Sequence, residues 1–212
     1  MRVNVYVDGF NLYYRALRST RYKWLNVRRL AELYLGSVSR ASIHRLRYFT
    51  AEVNARPHDP DQPVRQQTYL RALRTLPNLT IHLGHFSEQI EWRQRADGQG
   101  TVRVVVSDEK GSDVNLATYL LLDAAKRDCD VALVITNDSD LAEPIKLARV
   151  EFGRDVILLD PCVDRKHRSK HLMDAVGHAK FYKKLRMGPI EISQFPSVMA
   201  DAAGPFHRPT SW

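Results

Sequence analysis

The run "VALVI", Val131 to Ile135, holds no polar side chain, and a turn-forming "TNDSD" follows it at once. A strand with one face in water alternates apolar and polar residues. A strand buried on both faces reads as an unbroken apolar run. "VNVYV" (Val3 to Val7) and "DVILLD" (Asp155 to Asp160) have the same character. Segments with helical spacing separate these runs, and strands alternating with helices build a parallel sheet covered on both faces. The expected fold class is therefore α/β: a three-layer sandwich with a central, mainly parallel sheet. In such sheets ligands bind beyond the carboxyl ends of the strands, where strand order reverses.

The intervening segments can be read in order. "NLYYRALRS" from Asn11 is helical, with Leu12 and Leu17 facing inward. "VRRLAELYLG" (Val27 to Gly36) is a second helix. "IHRLRYFTAEV" (Ile43 to Val53) is a strand, and "VRQQTYLRALRTL" is a helix burying Tyr69, Leu70, Leu73 and Leu76. "LTIHLGHF" (Leu79 to Phe86) is a strand. Two β-rich arms then flank Ala96-Asp97-Gly98, a turn signature, which predicts an exposed hairpin insertion near residues 88–106. "DVNLATYLLLDAAKR" predicts a helix with Val114, Ala117, Leu121 and Ala124 on its buried face. "LAEPIKLARVEFG" is the next helix, "KHLMDAVGHAKFYKKL" a basic one, and "IEISQF" a last strand. The domain is expected over residues 1–196, with a flexible, disordered tail from Ser197 where Ala, Gly, Pro and Ser collect.

Composition narrows the function. The chain of 212 residues carries a net charge of +8, unevenly placed. Residues 1–80 hold 14 Lys/Arg against 5 Asp/Glu, residues 81–162 hold 9 against 15, and residues 163–186 hold 8 against 2. An acidic middle thus lies between basic segments, and a basic surface attracts polyanions, nucleic acid above all. The N-terminus enters a strand pattern at once and resembles no signal peptide. No apolar run nears the roughly 20 residues of a membrane span. Cys129 and Cys162 lack any motif spacing and read as reduced thiols, so the expected location is cytoplasmic. The exposed β-arms make a homo-oligomer one option.

Four acids recur at element ends: Asp8, Asp113, Asp138 and Asp140. Each has a local explanation. Asp8 before Gly9 suits a turn. Asp113, after Gly111 and a capping Ser112, complements a helix dipole. Asp140 with Glu143 fits a capping box. Asp138 is the hardest to explain locally, because it adds repulsion beside Asp140. Taken together, clustered carboxylates cannot all stay ionised without a cation. Oxygen-rich sites suit Mg²⁺ or Mn²⁺, which bind phosphate oxygens. Asn11 and Thr136 would orient ligands, and Lys110 would hold a phosphate. Lys183 and Lys184, with the basic "DRKHRSKH" run before them, would track a nucleic-acid backbone. Trp24, Trp92 and Tyr22 are candidate base stackers, while Tyr13 and Tyr14 suit the core better. His167 and His171 are spaced i, i+4 but sit in a solvated basic face. No P-loop spacing is present.

"VDGFNLYY", "EKGSDVNLATYLLLDA" and "ITNDSDLAEPIKLAR", in that order and spacing, resemble the NYN domain, a branch of the PIN-like nucleases. The resemblance covers most of residues 1–186; the hairpin and the tail lie outside it. It implies a PIN-like sandwich and a Mg²⁺- or Mn²⁺-dependent ribonuclease site. Asp8, Asp113, Asp138 and Asp140 match the family's metal-site acids, and Asn11 its first-motif Asn. Asn137 stands where the family often has Gly. The expected activity is hydrolysis of RNA phosphodiester bonds, with an endonucleolytic mode. The alternatives are an RNA-binding or regulatory module with little catalysis, and a phosphatase acting on small phosphate esters.

Overall fold

The computed structural model describes residues 1–36, 38–162 and 168–212. The first half of the "DRKHRSKH" run, His167 included, lies outside them. Seven strands form one sheet in the order β4-β3-β2-β1-β5-β6-β7. They are β1 (Arg2–Asp8), β2 (Ser42–Ala51), β3 (Leu79–Gln94), β4 (Thr101–Lys110), β5 (Val131–Ile135), β6 (Asp155–Asp160) and β7 (Tyr182–Lys184). All neighbours run parallel except β3 and β4. The chain steps from β1 outward to β2 and later returns to β1's other side as β5. Strand order therefore reverses at β1, and a crevice opens beyond the ends of β1 and β5.

Alternation along β1 separates the two faces. Val3, Val5 and Val7 pack toward one helical layer, and Tyr6 packs toward the other. The first layer holds α1 (Gly9–Leu12), which continues as a π-helical turn over Tyr13–Leu17, with α2 (Val27–Leu35), α3 (Gln62–Arg74) and α7 (Met187–Ile192). The second holds α4 (Ser112–Ala125), α5 (Ala142–Val150) and α6 (Lys170–Ala175). This is the three-layer α/β sandwich that the apolar runs and helical spacing predict. The β3–β4 arm is the hairpin, longer than expected because β3 runs on from the sheet without a break.

The structure corrects several local expectations. The buried face of α4 is Leu116, Leu120, Asp123 and Ala124, while Val114 stands 69% exposed. An acid on the inner face misleads a reading based on apolar spacing. The expected basic helix ends at Ala175, because Gly177 adopts φ +70°, and the chain then re-enters the sheet as β7. "IEISQF" is not a strand; its first residues close α7.

The expected disordered tail is instead ordered. Residues 198–207 form a hairpin of β8 (Val198–Asp201) and β9 (Gly204–His207). Trp24 explains why. It is fully buried, so it is no base stacker, and it sits edge-on to Phe195, Phe206 and Trp212. Its indole N–H donates to the Pro196 carbonyl at 2.8 Å. Arg71 forks onto Asp201 at 2.6 and 2.7 Å and lies over the Phe206 ring. Phe206→Ala should therefore cost about 3 kcal/mol, the usual loss for a buried aromatic, read as a lower midpoint in urea unfolding. A midpoint equal to the parent's would mean that the hairpin adds nothing to the fold.

Candidate active site

The site is built at the reversal point. Asp8 is the last residue of β1 and the N-cap of α1, its Oδ1 accepting from the Asn11 amide at 2.9 Å. Gly9 follows because nothing larger fits: an added Cβ would lie 2.7 Å from the Tyr48 ring and 2.8 Å from the Phe49 carbonyl. Across the crevice β5 ends and Thr136 turns inward. Its hydroxyl donates to Asp8 Oδ2 at 2.9 Å and accepts the Asp138 amide at 3.0 Å. Thr136 is fully buried, and its hydroxyl holds the two acids in place. The Asn11 carboxamide oxygen accepts the Asn137 amide at 2.9 Å, tying the α1 turn to the β5 loop.

Asp138 caps a 3₁₀ turn, Ser139–Leu141, accepting from the Asp140 amide at 3.0 Å. Local capping and a site role thus coexist in this residue. The expected Asp140–Glu143 capping box does not form, since Leu141 is the N-cap of α5. Asp113 arrives from the far side, in the first turn of α4. Gly111 precedes that turn with φ +98°, a conformation open to glycine and costly for other residues. Ser112 does not cap this helix; its amide and hydroxyl both donate to Glu109.

Asp8, Asn11, Asp113 and Asp138 line one open pocket of about 370 Å³, with Glu109 beside them. Asp140 does not line it and acts on Asp113 through its charge. Burial pushes the Asp8 carboxyl up to about 7, with the Asp113 and Asp138 charges adding to the rise. Burial, then Asp138, Glu109 and Asp140, push Asp113 up to about 6. Among the described residues no lysine or arginine pairs with these acids.

Among those same residues, no three His, Cys, Asp or Glu side chains form a ready metal cage. The four aspartates are therefore not one ligand cluster, as the simplest reading of their pattern would have it. The donor set still fits Mg²⁺ or Mn²⁺. Such ions keep several waters and need only one or two carboxylates, with substrate phosphate completing the shell. Asp8, Glu109, Asp113 and Asp138, lining one open pocket and without a described cationic partner, supply that environment.

The other expected binding residues do not line this pocket. Lys110 ends β4 and faces Asp108 at 3.4 Å on the exposed arm. Lys183 lines a separate groove with Met1 and Val131. Lys184 stands opposite Asp160 in the β6–β7 ladder. The pocket rim instead carries Arg15 and Arg56, with Phe10, Tyr14 and Phe86 as walls. Arg15 was legible, four residues beyond Asn11 on one helical face. Arg56 sits in a proline-rich loop and gave no signal. Tyr14 is 46% exposed, so the core placement expected for it is wrong.

The raised Asp8 carboxyl has a consequence for stability. An unfolded aspartate titrates near 3.9, so between about pH 4 and pH 7 the folded chain holds a proton that the unfolded chain has released. Stability then falls as pH rises through that window, by at most about 4 kcal/mol from this group. Asp8→Asn removes the charge and keeps the shape. In EDTA at pH 8 the variant should melt higher than the parent, and the two should converge below about pH 4. A variant that melts lower at both pH values would contradict this.

The NYN domain model matches residues 2–183. A 6-hydroxy-3-succinoylpyridine 3-monooxygenase from Pseudomonas putida is 26% identical over 237 aligned positions, which span all of this chain and 75% of that protein. A crystal structure of a Vibrio parahaemolyticus protein of unknown function superposes with a TM-score of 0.56 at 15% identity, covering 87% of this chain and 93% of that one. That likeness concerns the fold. With the family match spanning the sheet, α1, α4 and the β5 loop, this chain belongs to the NYN domain family and has its PIN-like nuclease fold.

Proposed function

We propose that this protein is a Mg²⁺- or Mn²⁺-dependent ribonuclease that hydrolyses phosphodiester bonds within RNA. The observation that carries the reading is the shared pocket of Asp8, Asp113 and Asp138 at the strand-order reversal, rimmed by Arg15 and Arg56. A bound divalent ion would supply Lewis acidity to the phosphodiester and to the attacking water. The chain's own groups do the rest. Thr136 and the Asn11 amide hold the Asp8 carboxylate in one orientation. The Asp140 amide fixes one oxygen of Asp138, which lines the pocket. Arg15 and Arg56 attract the phosphate and orient the strand. The net charge of +8 draws RNA to the surface as a whole.

The test is cleavage of end-labelled single-stranded RNA with Mg²⁺ or Mn²⁺, and with EDTA. Products should appear with either metal and vanish with the chelator. Cleavage unchanged by EDTA would overturn the reading.

A second reading has its own support. The absence of a ready three-acid cage among the described residues favours an RNA-binding module with little catalysis. It predicts RNA affinity that survives EDTA, falls steeply with salt, and leads to no cleavage. The Pseudomonas putida relative is named for oxygenation of a substituted pyridine. Oxygen uptake with a hydroxypyridine acid, in place of RNA cleavage, would replace both readings.

A further inference from the structure

Beside the carboxylate pocket lies a second cavity, between the start of α1, the N-terminal half of α3 and strand β2. Its free volume is about 70 Å³, several times the roughly 10–15 Å³ that holds one water. Phe10 and Tyr14 line both spaces, so the two are neighbours with these rings between them. Tyr13, Tyr48, Tyr69 and Trp212 complete an aromatic wall. Phe10 and Tyr14 stack nearly parallel, 23° apart. Aromatic faces at the entrance and a narrow interior suit a flat ring better than a branched or flexible group.

The polar edges point the same way. Gln66 is held by the backbone: its amide donates to the Ala51 carbonyl at 2.8 Å and its oxygen accepts the Val53 amide at 2.9 Å. Arg65 is engaged with Asp59. Lys23 differs from both, since among the described residues it has no hydrogen-bond or ion-pair partner. Burial and the nearby Arg65 charge depress its ammonium. It is a donor set at the edge of an aromatic slot with nothing described to donate to. The Tyr13 hydroxyl likewise has no described partner.

We infer that this cavity seats a single planar nitrogen heterocycle, stacked against the aromatic wall with a ring carbonyl or acid oxygen facing Lys23. Under the ribonuclease reading, on which this rests, the ring is an unpaired base of the strand whose phosphate lies in the carboxylate pocket. A duplex cannot present a base this way, so the cavity would select single-stranded RNA. The same chemistry is offered by a free hydroxypyridine acid.

The experiment separates these sources and works without cleavage. In EDTA, the affinity of a fluorescent ten-residue oligouridylate is measured for the parent, Tyr13→Ala and Lys23→Ala. The controls are a paired duplex and an otherwise identical strand lacking its bases. Both variants should bind the oligouridylate about tenfold more weakly while duplex affinity stays at the parent value. The base-free strand should bind all three proteins alike. If a free hydroxypyridine carboxylate saturates the parent and not Lys23→Ala, while the oligouridylate is indifferent to both variants, the cavity stands with the small molecule as its ring. If neither probe distinguishes the variants from the parent, the inference is overturned. Lys23 is partly exposed, so its variant remains informative should Tyr13→Ala fold poorly. A parent that binds through the cavity and never cleaves RNA with metal would sink the nuclease reading alone. One that cleaves while both variants bind like the parent would sink this inference alone.

Discussion

Asp138→Asn should reduce metal-dependent RNA cleavage by on the order of 10²–10³-fold, the range seen when one electrostatic contact to a reacting centre is removed. The substitution is chosen so that folding is not in question. Asn caps a helical turn as well as Asp does, so the bond from the Asp140 amide survives. Only the charge facing the pocket is lost. Asp113→Asn should behave alike, because Asp113 faces the same space from α4. Asp140→Asn should cost far less, since its side chain does not line the pocket. Single-turnover cleavage at saturating Mn²⁺ measures all three. Equal losses at Asp138 and Asp140 would argue for a general charge effect. Full activity in Asp138→Asn would remove the acid pocket from the chemistry.

The second large effect belongs to the fold. Asp123→Ala should destabilise the protein by about 3–5 kcal/mol, as expected when one partner of a buried ion pair is removed. Arg47 and Asp123 are 10% and 5% exposed as side chains. The guanidinium forks onto the carboxylate at 2.9 and 3.0 Å and lies over the Tyr119 ring. Tyr6 donates to the same carboxylate at 2.8 Å and Asn4 at 3.3 Å. Burial, with the Asp123 charge behind it, keeps the Tyr6 hydroxyl protonated and able to donate. Removing the carboxylate leaves a buried cation and the Tyr6 hydroxyl without their acceptor, while Asn4 keeps its bond to Asp128. The double variant Arg47→Met with Asp123→Leu should recover much of the loss, because an apolar pair does not strand a charge. Urea unfolding of the single and double variants gives the comparison. A single variant as stable as the parent would show that water reaches the cation.

That network marks the limit of a reading by periodicity. Asp123 looks like a surface acid in "LLLDAAKR", so the expected inner face of α4 came out displaced, with exposed Val114 counted inside. Its partner lies 76 positions earlier, on β2, and no local spacing encodes that pairing. Trp24 and the hairpin of residues 198–207 repeat the case: Ala, Gly and Pro suggest disorder until a buried tryptophan some 170 positions away organises them.

What the chain declares locally is the alternation of apolar strands with helices, the glycines at Gly9 and Gly111, and acids where strands end and helices begin. Backbone preference and hydrophobic period act over a few residues, so these features survive in one dimension. Whether the acids meet is another matter. Asp8 and Thr136 touch across 128 positions because β5 lies beside β1 in the sheet, and Asp113 joins them because α4 packs across β1 and β2. Asp140, two residues from Asp138, does not line the same pocket, although its charge reaches Asp113. Proximity in space follows strand order and packing, and these are settled by the burial of the whole core.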